Sequence, residues 1–88
     1  MPIEEQKYPV ATIISNIGER TTFVFTSART YQEFITWATW DVLDTYDVSL
    51  TKANITPEQY EPNRSKAETA RYDQFMADFR AFRNGNEY

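Results

Sequence analysis

Two short runs of β-branched and aromatic residues, Val10 to Ser15 (VATIIS) and Thr21 to Thr26 (TTFVFT), stand either side of Asn16-Ile-Gly-Glu-Arg20. Runs of this composition around a Gly-containing loop read as a β-hairpin, because branched and ring side chains suit a pleated surface and the loop supplies turn residues. Successive strand residues point to opposite faces, so Phe23 and Phe25 share one face and Val24 takes the other. A hairpin alone is barely stable in water. It needs a third strand or a helix against its apolar face, and the rest of the chain must supply that cover.

The next segment changes period. Tyr31, Phe34, Ile35, Ala38, Val42 and Tyr46 recur at helical spacing and predict a long helix from Tyr31 to Tyr46. Thr30-x-x-Glu33 fits a capping box at its start, with Ser27 as an alternative cap. Val48 to Thr51 fits a short third strand. Lys52 to Asn63 reads as a connector holding one helical turn, with Thr56 as cap, Pro57 at the first helical position, and Pro62 to stop it. Ser65-x-x-Glu68 is a second capping box and opens a C-terminal helix to Arg83. Tyr72, Phe75, Met76, Phe79 and Phe82 form its apolar stripe, Arg80 and Arg83 suit the negative end of the helix dipole, and Asn84-Gly85 supplies a left-handed stop. Residues 1–7 read as a loose lead-in. The expected fold is one α+β domain over residues 1–88: a β-hairpin or three-stranded antiparallel sheet packed against two α-helices, in the order ββα(β)α.

A chain of 88 residues buries a modest core, roughly 60–65% of its unfolded surface. Six Tyr, six Phe and two Trp compensate, because each large ring buries much area. No disulfide can staple the fold, since there is no Cys. The absence of Cys and His also removes thiol catalysis, zinc-thiolate sites, the common nucleophile–histidine arrangements and the usual base near neutral pH. With only Gly18 and Gly85, no glycine-rich phosphate loop can form. The Pro2-Ile3 start is similar to that of the tautomerases, whose N-terminal proline is a base. In that family the proline opens a strand leading to a helix. Here Glu4, Glu5, Lys7 and Pro9 interrupt such a strand and a hairpin follows, so no catalytic role is assigned to Pro2. The chain is therefore expected to bind rather than to catalyse, and to need no cofactor.

Net charge is −4, and the imbalance lies in the first half: residues 1–50 carry seven acids and three bases, residues 51–88 six of each. No Lys/Arg cluster exists, so direct contact with nucleic-acid backbones lacks its usual footprint. Phe23 and Phe25 lack the basic surround that base-stacking aromatics need, and read as core. No apolar run approaches the roughly 18–20 residues of a membrane span. The polar, acidic start lacks the pattern of a secretory signal, which makes the cytoplasm the expected compartment and leaves Asn54-Ile-Thr56 and Asn63-Arg-Ser65 as chance matches to the glycosylation pattern.

Asp41, Asp44 and Asp47 form a D-x-x-D-x-x-D run. On a helix these acids spread over about 120° of surface, too wide to converge on one ion, so no metal site is expected. On the same wheel Glu33, Trp37, Trp40, Asp44 and Asp47 fall opposite Tyr31, Ile35 and Val42. Two tryptophans a turn apart among carboxylates suggest a hot spot for a protein partner with a basic surface. The expected partner-binding set is Glu33, Trp37, Trp40, Asp41, Asp44 and Asp47, unless the last helix or the connector covers the rings. In size, acidity and lack of an active site the chain also resembles small inhibitors of phages and mobile elements, of the anti-restriction and anti-CRISPR kind. That resemblance implies carboxylates that mimic nucleic-acid phosphates in a basic groove. Metal independence is directly testable: thermal unfolding should be identical in chelator and in millimolar Mg²⁺ or Ca²⁺, and a saturable rise in Tm with one ion would contradict it.

Overall fold

The computed structural model describes residues 7–85. Pro2 and most of the lead-in, and the chain after Gly85, lie outside them. The two β-rich runs form strands β1 (Tyr8–Ile14) and β2 (Arg20–Val24), joined by a tight turn. The Ser15 hydroxyl accepts from the Ile17 and Glu19 amides, and the Ser15 amide donates to the Glu19 carbonyl at 2.9 Å. Gly18 takes a φ of 86°, which a side chain would strain. Helix α1 (Ala28–Asp41) follows, then β3 (Asp47–Ala53), the single turn α2 (Pro57–Tyr60) running into a 3₁₀ turn (Glu61–Asn63), and the long helix α3 (Lys66–Gly85).

The sheet is antiparallel with order β2-β1-β3, so the fold is α+β as the pattern implied. β2 and β3 both run opposite to β1 and hence parallel to each other, with α1 as the crossover between them. One face of the sheet presents Ala11, Ile13, Phe23 and Phe25 to the helices, which contribute Phe34, Trp37, Ala38, Val42 and Phe79. Phe34 sits at the centre, its ring 4.8 Å from Phe23, 5.0 Å from Phe25, 5.2 Å from Trp37 and 5.4 Å from Phe79. These tilted and edge-to-face contacts are the geometry that ring quadrupoles favour.

Several boundaries differ from the sequence expectation, each for a local reason. α1 starts earlier because Ser27 is the cap: its hydroxyl accepts from the Thr30 amide. It ends at Asp41, five residues sooner than expected, because the Val42 and Leu43 amides both donate to the Ala38 carbonyl at 2.9 Å and turn the chain. Asp44 therefore lies in a turn, and Asp47 begins β3. The third strand is longer than expected, pairing along all of β1 from Tyr8↔Ala53 to Ile14↔Asp47. The Thr56 box forms in full, with the Thr56 hydroxyl accepting from the Gln59 amide and the Gln59 side chain accepting from the Thr56 amide. Pro62 extends the connector as 3₁₀ rather than ending it. Gly85 has no left-handed φ; α3 runs through it to the end of the described residues.

The Ser65 box forms only by half. The Ser65 hydroxyl accepts from the Glu68 amide at 3.1 Å, but the Glu68 carboxylate turns away to the outer edge of β2. There it accepts from the Thr22 amide at 2.9 Å and from the Tyr60 hydroxyl at 3.3 Å. Arg64 Nη2 donates to the Thr22 carbonyl at 2.8 Å, with its guanidinium 3.8 Å from the Tyr72 ring centre and 4.9 Å from that of Tyr60. Arg71 completes the edge, donating to the Arg20 carbonyl at 2.8 Å and the Thr21 hydroxyl at 3.0 Å. Side chains thus satisfy backbone groups that a further strand would otherwise satisfy.

Two substitutions test this packing. Phe79→Ala removes a fully buried ring and should lower the free energy of unfolding by about 3–5 kcal/mol. Ser65→Ala deletes an exposed cap and should cost about 0.5–1 kcal/mol. Denaturant melts of both variants check the values, and a neutral Phe79→Ala would contradict the assigned core.

Candidate functional site

α1 packs against two surfaces at once, the sheet on one side and α3 on the adjacent side. Its buried arc is therefore rotated from the one centred on Tyr31, by roughly 50° at 100° per residue. Trp37 falls inside the rotated arc. It is 2% exposed, with its ring centre 5.6 Å from that of Phe79 and 6.3 Å from that of Phe75. The expectation that Trp37 faces outward is corrected on this point: α3 covers it. Glu33 is drawn to the same side. Arg83 Nε of α3 lies 3.1 Å from Glu33 Oε1 without hydrogen-bonding alignment, and Arg29 Nε lies 3.7 Å from Oε2. Glu33 is thereby committed to joining the two helices.

Trp40, about half a turn round from the core, is 71% exposed, and Leu43 beyond it is 50% exposed. Asp41, Asp44 and Asp47 are all exposed, and among the described residues none of the three has an ion-pair partner. Asp41 stands in the last turn of α1, a turn without a basic residue. A helix end carries partial negative charge, so a carboxylate there is disfavoured by a few tenths to about 1 kcal/mol, and Asp44 beyond the end adds to the same potential.

A groove of about 970 Å³ opens between this end of α1, the hairpin turn and α3. Ile13, Trp37, Val42, Phe75 and Phe82 give it apolar walls, and Glu19, Asp41 and Asp78 stand around it. Among the described residues Arg71 is the one base lining it, already occupied by the Arg20 carbonyl, the Thr21 hydroxyl and Glu19 at 3.8 Å. The charge left to meet a ligand is negative. A shallower hollow of about 270 Å³, lined by Ile14, Asn16 and the stretch from Leu43 to Asp47, shares Asn16, Thr45 and Tyr46 with the groove. The structure thus brings Asp44 and Asp47 to one hollow and Asp41 to its neighbour, while Trp40 lines neither. Among the described residues no three carboxylates gather closely enough to hold a metal ion, and no helix is long and apolar enough to cross a membrane.

Sequence reasoning missed Ile17, Leu43 and the α3 side of the groove. Ile17 had a legible signal: an apolar residue inside a tight turn has no core to enter, and it is 75% exposed at the hairpin tip. Leu43 falls well off the apolar stripe of α1 on a helical wheel. Asp78 and Phe82 had no such signal, because only the docking of α3 brings them to the groove. No protein-family model, curated protein or solved structure matches this chain.

The two indoles should behave differently in solution. Acrylamide should readily quench one emission component and leave a blue-shifted one protected. Trp40→Phe should remove the quenchable component alone; if it removes the protected one, the two assignments are reversed.

Proposed function

We propose that this chain is a small protein-binding module that offers the outer end of α1 to a partner with a basic surface. The observation that carries the reading is Trp40, an exposed ring in the last turn of α1, followed along the chain by exposed Asp41, Asp44 and Asp47, whose carboxylates have no ion-pair partner among the described residues. An isolated domain gains nothing from this placement: the indole leaves apolar area in water, and Asp41 opposes the helix dipole. A partner bearing Lys or Arg relieves both costs, covering the ring and neutralising the acids. The adjoining groove, apolar inside and acidic around it, suits the same kind of surface. Within the set expected from sequence, Trp40, Asp41, Asp44 and Asp47 make the contact, while Trp37 and Glu33 hold α1 in place behind it.

A second reading draws on the same three acids. Exposed and unneutralised, they favour an inhibitor that mimics phosphates in a nucleic-acid-binding groove, as in phage and mobile-element antagonists of host defence. Salt separates the two, because exposed charge pairs are screened and a buried indole contact is much less so.

Affinity capture from lysate of the source organism, with the wild-type chain beside Trp40→Ala, tests the proposal. Trp40→Ala should lose the captured partner, weakening binding by about 2 kcal/mol or more with an unchanged melting curve. Equal capture by both would overturn the Trp-centred reading. Binding that survives Trp40→Ala but collapses with moderate salt would instead support the mimic.

A further inference from the structure

The two edges of the sheet are treated differently. At β2 the Thr22 amide and carbonyl and the Arg20 carbonyl are taken by Glu68, Arg64 and Arg71. Those bonds also fix the phase of the whole ladder. Since Thr22 points outward, its opposite residue Thr12 turns its amide and carbonyl toward β3, where it faces Ser49. Phe25 donating to the Pro9 carbonyl at 3.0 Å agrees with this phase. Ser49 and Thr51 are then bonded to β1, and Val48, Leu50 and Lys52 turn their amides and carbonyls away from the sheet. Among the described residues no group takes these outward donors and acceptors.

We infer that β3 pairs antiparallel with β3 of a second copy of this chain, about a two-fold axis at Leu50. The strand is self-complementary in that register. Leu50 faces its own equivalent, and Val48 faces Lys52 of the other copy, so every outward amide meets an outward carbonyl. Leu50 lies on the helix-bearing face, opposite Ala11, and is 48% exposed, because the helices' buried rings pack on Ala11, Ile13, Phe23 and Phe25 and reach β3 only at Val48. Its side chain would meet its equivalent across the axis, and Lys52 would lay its stem along Val48. On the opposite face Ser49 meets Thr51, a pair of hydroxyl-bearing residues that suits a cross-strand contact.

Charge selects the same arrangement. β3 begins at Asp47 and has its one base at Lys52. Parallel in-register pairing would set Asp47 beside Asp47 and Lys52 beside Lys52, whereas antiparallel pairing keeps like charges apart, with Asp47 opposite Ala53 and Lys52 opposite Val48. The side chains laid along β2 limit growth. Arg64, Glu68 and Arg71 stand along β2 where a further strand would lie, so pairing through β3 ends at a dimer with a six-stranded sheet rather than a filament. This surface is distinct from the one proposed for a basic partner, except that Asp47 borders both.

Analytical ultracentrifugation over a concentration series, with amide exchange on the same samples, tests the inference. The mass should rise from one chain toward two between micromolar and millimolar protein, and the Val48, Leu50 and Lys52 amides should gain protection in parallel. Leu50→Lys places two ammonium groups at the axis and should hold the chain monomeric with its fold intact. Trp40→Ala should leave association unchanged, which separates this inference from the proposed partner surface. A single-chain mass at millimolar protein would overturn it. So would association undiminished by Leu50→Lys, or the same protection of the three amides at every concentration.

Discussion

Phe34 packs its ring against Phe23, Phe25, Trp37 and Phe79, and most of the molecule is arranged around that contact. A short chain without disulfides depends on a few large rings for its core. Here one ring on α1 has to meet the sheet and α3 together, which fixes the rotation of α1 about its axis. Trp37 and Glu33 turn toward α3, and Trp40 turns to the solvent. The outward surface at the end of α1 is thus a consequence of how the core closes, not a feature of the helix alone.

Backbone satisfaction is the second organising constraint. The connector and the start of α3 hold Arg64, Glu68 and Arg71 along β2, where they act as a surrogate strand. Arg64 between Tyr60 and Tyr72 shows how the surrogate is kept in place: the guanidinium is fixed by two rings, so its bond to the Thr22 carbonyl costs little further side-chain order. Glu68 could serve the helix N-terminus or the sheet edge. It goes to the edge because an amide there, partly buried, loses more if left unpaired than one at an exposed helix end, where water substitutes.

Charge then separates the two ends of α1. Near its start, Glu33 is met by Arg29 and Arg83. At its end, Asp41 has no such partner among the described residues and works against the helix dipole. Local energetics would favour a basic residue at that position. The chain instead places Asp41 there, next in sequence to the exposed Trp40, a departure from local optimisation of the kind expected where a surface serves binding.

The hairpin, the helical turn at Thr56 and the α3 stripe were legible in the sequence because each rests on short-range chemistry: β-branched runs, turn residues, caps, and apolar residues at a fixed period. Trp40 was legible as outward because a wheel places it relative to its own helix; Asp44 and Asp47 are exposed for a different reason, since they lie past the end of α1, in the turn and at the start of β3. Tertiary structure alone decided which part of that wheel is buried. α3 docks beside α1, and no periodicity within α1 records a neighbour 40 residues away, so Trp37 read as outward and lies in the core. The same holds for Glu68, whose spacing from Ser65 fits a cap while its carboxylate bonds β2. It holds for the groove, whose apolar and acidic residues come from three separated segments. Sequence fixes what a residue can do along its own element; long-range packing chooses among those options, because the energy of burying a ring or satisfying an edge amide exceeds the local preference it overrides.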